Sequence, residues 1–253
     1  MTQGITKLSK VLLGRETTAG VNCVATTIWR GTGWLESKPT VEFIEENVGY
    51  LVGVNRTAIP KVEAMLELEE VDATFEQFKH VCEMGIKTAT PSTDGGAGTG
   101  KIYTYTATPA TARTVADIKT YSIEGGNNAG EEEASYFFAE KFTLSGAAGE
   151  TLKMSGSLRG REVAPGTFTT TATLPSVETI LFSKGTLAID SAGGTMGSTV
   201  KSNTLLEASL DWTTGLVPVF TGDGQIYFTF VKDVGAEVML DITFEHETTA
   251  IAE

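Results

Sequence analysis

Glu63-Ala64-Met65-Leu66-Glu67-Leu68-Glu69 decides the fold class. Val62, Ala64, Leu66 and Leu68 fall on one side of an extended chain, and Glu63, Met65, Glu67 and Glu69 fall on the other. Period-2 alternation is the mark of a half-buried β-strand, here with an acidic outer face. The pattern recurs near the C-terminus. Glu237-Val238-Met239-Leu240-Asp241-Ile242 matches residues 63–68 position by position, in identity or chemical class. There Val238, Leu240, Ile242 and Phe244 oppose Glu237, Met239, Asp241, Thr243 and Glu245. Two acid-faced strands are what a tandem duplication leaves behind. Polar-out alternation is equally what any antiparallel strand shows, and a six-residue echo can arise by chance.

The chain of 253 residues is long enough for one large β domain or two small ones with a real core. Asp plus Glu number 32 against 19 Lys plus Arg, a net charge of −13. That balance argues against wrapping nucleic acid, which takes clustered cations, and fits a surface that DNA passes without adhering. Cys23 and Cys82 are too few for a disulfide framework, and Cys82 sits on the apolar side of a predicted helix. No apolar run reaches transmembrane length, and Met1–Val11 lacks the apolar stretch of a signal peptide, so the chain is expected to be made and folded in a cytoplasm. Abundant Thr and 28 Gly suit pleated surfaces, turns and bulges.

Residues 1–27 show no strong period and read as an extended arm. Residues 28–35 and 41–46 are short strand candidates. The loop 47–60 carries apolar residues at its tip: Tyr50, Leu51 and Val52. After the acid-faced strand comes one convincing helix, about residues 74–84. Thr74-x-x-Gln77 has capping-box spacing, Phe75, Phe78, Val81 and Cys82 recur at helical spacing, and Gly85 is a natural stop. Further strands are expected at 101–108, 118–124, 135–145, 150–163, 167–173, 179–190, 205–213, 225–232 and 237–247. Within 135–145, Phe138, Phe142 and Leu144 are expected to share a face. A dozen strands and one helix mark a mainly β sandwich or barrel.

Catalytic signatures are weak. Gly95-Gly96-Ala97-Gly98-Thr99-Gly100-Lys101 fills seven places of a phosphate-binding loop, but Ile102 stands where the magnesium-ligating hydroxyl belongs. Ile102-Tyr103-Thr104-Tyr105 reads as strand, so no helix N-terminus faces a phosphate. His80, expected on the helix surface, and His246 have no partners at ligand spacing. No nucleophile elbow occurs. The numerous carboxylates leave a glycosidase-type pair open, against the simpler reading of Glu67 and Glu69 as solvated. Arg159-Gly160-Arg161 reads as a salt-bridge donor. No enzyme activity, metal or cofactor is expected.

The chain resembles the tail tube (major tail) proteins of long, non-contractile-tailed bacteriophages. The residues carrying the resemblance are Leu13-Gly14-Arg15-Glu16-Thr17-Thr18-Ala19-Gly20, Arg30-Gly31-Thr32-Gly33, Ala73-Thr74-Phe75-Glu76-Gln77-Phe78, Tyr121-Ser122-Ile123-Glu124-Gly125-Gly126-Asn127, Phe142-Thr143-Leu144-Ser145-Gly146 and Tyr227-Phe228-Thr229-Phe230 with the run Leu240–Glu247. The resemblance implies a tail-tube-type β-sandwich flanked by a helix, a long loop and an N-terminal arm. It implies copies closed into rings whose inner sheets fuse into a barrel, stacked into a tube that conducts the genome. Some members of the family hold one such domain and form hexamers; others hold two and form trimers. The echoed strand favours two tube-like halves, 1–127 with the arm and 128–253, although only the first copy is followed by a helix.

On this reading the partners are other copies, tail proteins at the tube ends, and duplex DNA in transit, with no membrane. The location is the virion tail, assembled in the host cytoplasm. Glu63, Glu67, Glu69, Glu237, Asp241 and Glu245 are expected to line the bore, with Leu66, Leu68, Leu240 and Ile242 in the core. The other orientation turns those acids outward or onto a neighbouring ring. Leu12, Leu13, Tyr50, Leu51 and Val52 are candidates for ring-to-ring contact. The competing class is a capsid-decorating or receptor-binding β-sandwich.

Overall fold

In chain order the strands are β1 (Lys10–Arg15), β2 (Thr27–Ile28), β3 (Gly33–Glu45), β4 (Val54–Asp72), β5 (Ser92–Thr93), β6 (Lys101–Ile102), β7 (Tyr121–Asn127), β8 (Gly130–Ala147), β9 (Lys153–Gly160), β10 (Ala164–Pro165), β11 (Leu187–Ala188), β12 (Val200–Lys201), β13 (Leu205–Thr213), β14 (Leu216–Val219), β15 (Phe230–Asp233) and β16 (Glu237–Phe244). One α-helix, α1 (Phe75–Gly85), lies between β4 and β5. The computed structural model describes residues 4–49, 51, 54–93, 100–105, 118–195, 197–201 and 204–245. The fold is mainly β with this one helix, as the periodicity requires. On β4, Val62, Ala64, Leu66 and Leu68 are buried while Glu67 and Glu69 are exposed, so the alternation read from residues 62–69 is that of the strand.

Two antiparallel sheets share the long strand β8. Its first half pairs with β7, which continues to β1 and β2; its second half lies between β9 and β13 in the order β16-β13-β8-β9-β4-β3. The strand changes sheet at a bulge. Tyr121 pairs with Phe137 but Ile123 pairs with Ala134, which leaves Ser135 and Tyr136 opposite Ser122. Tyr136 there takes a φ of 60°, a left-handed conformation that costs a bulky residue on the order of 1–3 kcal/mol unless its surroundings hold it.

The main core lies between the sheets and under α1, around Leu66, Leu158, Phe137, Phe142, Met154 and Val81. Thr74 caps the helix, its Oγ1 accepting the Gln77 N–H at 3.3 Å. Phe78 meets Phe142 edge-on with ring centroids 6.1 Å apart, whereas Phe75, in the first turn, stays exposed. The buried stripe is thus centred on Val81 and Cys82, and Phe75 lies outside it.

Two expectations are corrected, and a third feature bears on whether the halves form one continuous unit. Phe138 does not share a face with Phe142, because a second bulge between Ala139 and Lys141 reverses the alternation. Phe138 enters a smaller core with Phe228, Leu216 and Val231, beneath the β14–β15 hairpin. The stretches 167–173 and 179–190 are mostly irregular; only Leu187–Ala188 forms a strand there, and Thr27↔Thr173 is an isolated bridge. The division at 127/128 falls in the turn of the β7–β8 hairpin, and β4 pairs with β9 across it, so both halves build the same sheet.

Candidate functional site

The register brings the two acid-faced stretches onto one face of one sheet. Across it, Glu67 lies beside Ser157, Lys141, Thr213 and Glu237 in turn. A second row runs Thr143, Asp211, Met239, and a third Ser145, Ser209, Asp241. Stretches far apart in sequence therefore contribute acids to a single polar surface, with β9, β8 and β13 between them. Glu67 accepts from Ser157 Oγ and Glu69 from Thr32 Oγ1. Asp211 accepts from Thr143 Oγ1 at 2.5 Å. Glu67, Glu69, Glu237, Asp241 and Glu245 are exposed. Lys141 shares this face, as does Lys153, whose Nζ lies 2.5 Å from Asp72.

Glu63 departs from the set. It is 9% exposed, with Arg159 at 3.3 Å and Lys61 at 3.5 Å, and Arg159 also grips Glu140 at 2.8 Å. At this end of the sheet the segment before β15 lies alongside β4, the Ile226 carbonyl accepting the Val62 N–H at 2.8 Å. Glu63 is a buried ion-pair partner, unlike the five exposed acids.

The opposite face of β16 departs as well. Val238 is 46% exposed and Leu240 52%, so Leu240 is not in the core, and Ile242 is half-buried. Trp212 of β13 stacks on Phe142 at 6.0 Å and 7° and forms the last covered layer. The strand beyond it overhangs, presenting an apolar face that no described residue covers. Among the described residues both ends of this sheet have a free edge, since β3 pairs only with β4 and β16 only with β13.

The contact residues expected from the sequence also divide. Leu12 and Leu13 are 0% and 1% exposed, because β1 is laddered between β2 and β7 and its side chains fill the core. They are core residues, and Lys10–Arg15 is no free arm. Leu51 is fully exposed, while Tyr50 and Val52 lie outside the described residues. The β3–β4 hairpin runs well beyond the sheet with Val41, Phe43 and Ile59 exposed, a ribbon without a third layer.

Two polar centres lie off the acid face: Glu16, which carried no chemical signal in the sequence, and Arg161, read there as a salt-bridge donor. The Glu16 carboxylate, 3% exposed, accepts four hydrogen bonds: Gly20 N–H at 2.7 Å, Thr120 Oγ1 at 2.6 Å, Ser122 Oγ at 2.9 Å and Tyr136 N–H at 2.7 Å. It thereby holds the Tyr136 bulge. A cavity of about 170 Å³ adjoins it, walled by Ile118, Tyr136, Phe138, Leu216 and Val231. Arg161 lies 4.5 Å from the Tyr136 ring and 5.2 Å from that of Tyr227, and donates to the carbonyls of Phe228 and Thr229. Arg161 is thus an internal strap.

His80, expected on the helix surface, is half-buried. Its Nδ1 lies 2.9 Å from Tyr121 Oη, which donates to Glu83 at 2.9 Å; Arg15 completes the chain at 3.2 Å from Glu83. Since the phenol proton is given to Glu83, Nδ1 carries the imidazole proton and donates to Tyr121. Burial, with the Lys79 and Arg15 charges adding to it, pushes the His80 pKa down to about 4.

Among the described residues no group of three His, Cys, Asp or Glu could hold a metal ion, and no helix is long and apolar enough to cross a membrane. Most of the Gly95–Lys101 loop, and His246, lie outside the described residues; of the strand expected at 101–108, Lys101 and Ile102 form β6, Tyr103–Tyr105 are irregular and 106–108 lie outside the described residues. No protein-family model matches the chain, and no curated protein matches its sequence.

Proposed function

We propose that this chain is a structural subunit of a phage-type tail tube. Copies close into rings, the rings stack, and duplex DNA passes along a bore that its acids face. One observation carries the reading: a six-stranded sheet with two unpaired edges bears the acids of β4 and β16 on the same face. Joining such sheets edge to edge removes the free edges and rigidifies the wall. Three copies would supply about 18 strands, a size at which closed barrels enclose an open channel. DNA carries roughly one charge per 1.7 Å of axis, so a wall of net like sign resists adhesion. Glu36, Glu63, Glu67, Glu69, Glu207, Asp211, Glu237 and Asp241 outnumber Lys38, Lys61, Lys141, Lys153 and Arg159 on that face. The overhanging apolar side of β16 and the unbacked β3–β4 hairpin are the surfaces assembly would cover. The virion tail is the proposed location.

Electron microscopy of the purified protein tests this. Rings or tubes with a central bore are expected. Discrete particles without a bore would favour the decorating or receptor-binding class instead.

A further inference from the structure

The two free edges of the six-stranded sheet fit each other in one register. Hydrogen-bonding parity sets the first condition. On β4 the Glu69 N–H turns to Thr32 and the Val62 N–H turns away from β3 to Ile226. The even residues of β3 therefore bond to β4, and Leu35 and Ser37 direct their N–H and C=O groups to the open edge. On the other side, the Thr214 N–H turns to Glu140 of β8 and the Glu245 N–H to Thr204. The odd residues of β16 therefore bond to β13, and Val238, Leu240 and Ile242 present the open edge.

The side-chain faces agree with this parity. Leu35 pairs with Leu66, and Val238 with Trp212, which pairs with Phe142, so the edge-presenting residues of both strands lie on the apolar face. Neighbours along the sheet are all antiparallel, which makes β3 and β16 run in opposite directions. Adding β16 of one copy to β3 of the next continues the antiparallel order with both faces preserved.

Charge and Pro39 choose among the permitted registers. Pro39 stands at an edge-presenting position of β3 and has no N–H to give. With Leu35 opposite Leu240, Pro39 falls just beyond the start of β16. The same alignment sets Lys38 opposite Glu237, Glu36 opposite Met239 and Trp34 opposite Asp241, all in non-hydrogen-bonded pairs where side chains come closest. Sliding β16 two residues one way puts Glu36 against Glu237. Sliding it two the other way puts Glu36 against Asp241 and Pro39 into the ladder. Lys38 already contacts Glu36 at 2.7 Å and would sit between two carboxylates.

We infer that a second copy of this chain docks by antiparallel pairing of Gly33–Lys38 with Glu237–Ile242, Leu35 opposite Leu240 and Lys38 opposite Glu237. This rests on the ring reading above and specifies its lateral contact. Non-hydrogen-bonded partners have Cα atoms about 4.5 Å apart, within disulfide range. The experiment introduces Glu36→Cys with Met239→Cys and oxidises the purified full chain. Each single variant serves as a control for Cys23 and Cys82. The shifted pairs Lys38→Cys with Met239→Cys and Trp34→Cys with Met239→Cys test the neighbouring registers.

Cross-linked multimers from the Glu36/Met239 pair, with neither shifted pair reacting comparably, are expected. Lys38→Glu should raise the protein concentration needed for assembly about 10-fold, with recovery on adding Glu237→Lys. Rings seen by microscopy with only a shifted pair cross-linking, or with none, would overturn this register and leave the ring reading intact. The predicted cross-link in particles without a bore would uphold the contact and sink the tube. Neither rings nor cross-links would overturn both.

Discussion

Removing the Glu16 carboxylate should destabilise the subunit through the backbone it holds. Glu16 accepts four hydrogen bonds while 3% exposed, two of them from the backbone N–H groups of Gly20 and Tyr136. Hydrogen bonds to a charged group contribute on the order of 1.5–3 kcal/mol each, and a buried donor left without a partner costs about 1–3 kcal/mol. Thr120 and Ser122 can rotate their hydroxyls toward other acceptors; the Tyr136 N–H cannot turn. The cost of burying the carboxylate itself offsets part of the loss. Glu16→Ala should therefore cost about 3–5 kcal/mol net. Glu16→Gln keeps the shape but turns an NH₂ toward two of the donors, and should cost roughly half of that. Urea denaturation of the unassembled subunit measures both as a lower midpoint at unchanged slope. Hydrogen exchange should localise the loss to the Tyr136 bulge between β7 and β8. Glu16→Ala within 1 kcal/mol of wild type, on the scale of an ordinary surface substitution, would refute the claim that this carboxylate holds the bulge.

Other expectations follow from the same geometry. His80 has a folded pKa near 4 against an unfolded value near 6.5, so below pH 6.5 the unfolded chain binds the extra proton. Its contribution is complete above pH 6.5 and declines by up to about 3 kcal/mol toward pH 4; His80→Gln should flatten that slope in denaturation series across this range. Arg161→Ala removes the strap on Phe228 and Thr229, and limited proteolysis should then cut within 216–233 well before the rest of the chain. Gly215 has a φ of 70° and an added Cβ would stand 1.9 Å from the Gly235 carbonyl oxygen, so Gly215→Ala should cost at least about 3 kcal/mol in thermal or chemical denaturation. If the acids face the bore, Glu67→Lys with Asp241→Lys should slow genome release while tubes still form; unchanged release kinetics would count against that placement.

The period-2 runs at 62–68 and 237–242, and the Thr74 cap with its helix, were legible in the sequence because each depends on neighbours a few residues away. Local periodicity determines that β4 is half-buried and that β16 is a strand with acids on one side. The reach of the core depends on which elements stack where. Tertiary structure alone left Leu240 overhanging, since the core ends at Trp212, and buried Glu63, since β9 brings Arg159 onto it. The bulge between Ala139 and Lys141 sent Phe138 and Phe142 to different cores, and no alternation count sees it; nor does local pattern show the Tyr136 bulge, whose N–H is held by a glutamate 120 residues away. Composition and alternation thus fixed the two acid-faced strands and the sign of their polar face. Which acids stay exposed, and which two edges are left to join, was decided by long-range pairing, because burial belongs to the packed layers and not to the strand that enters them.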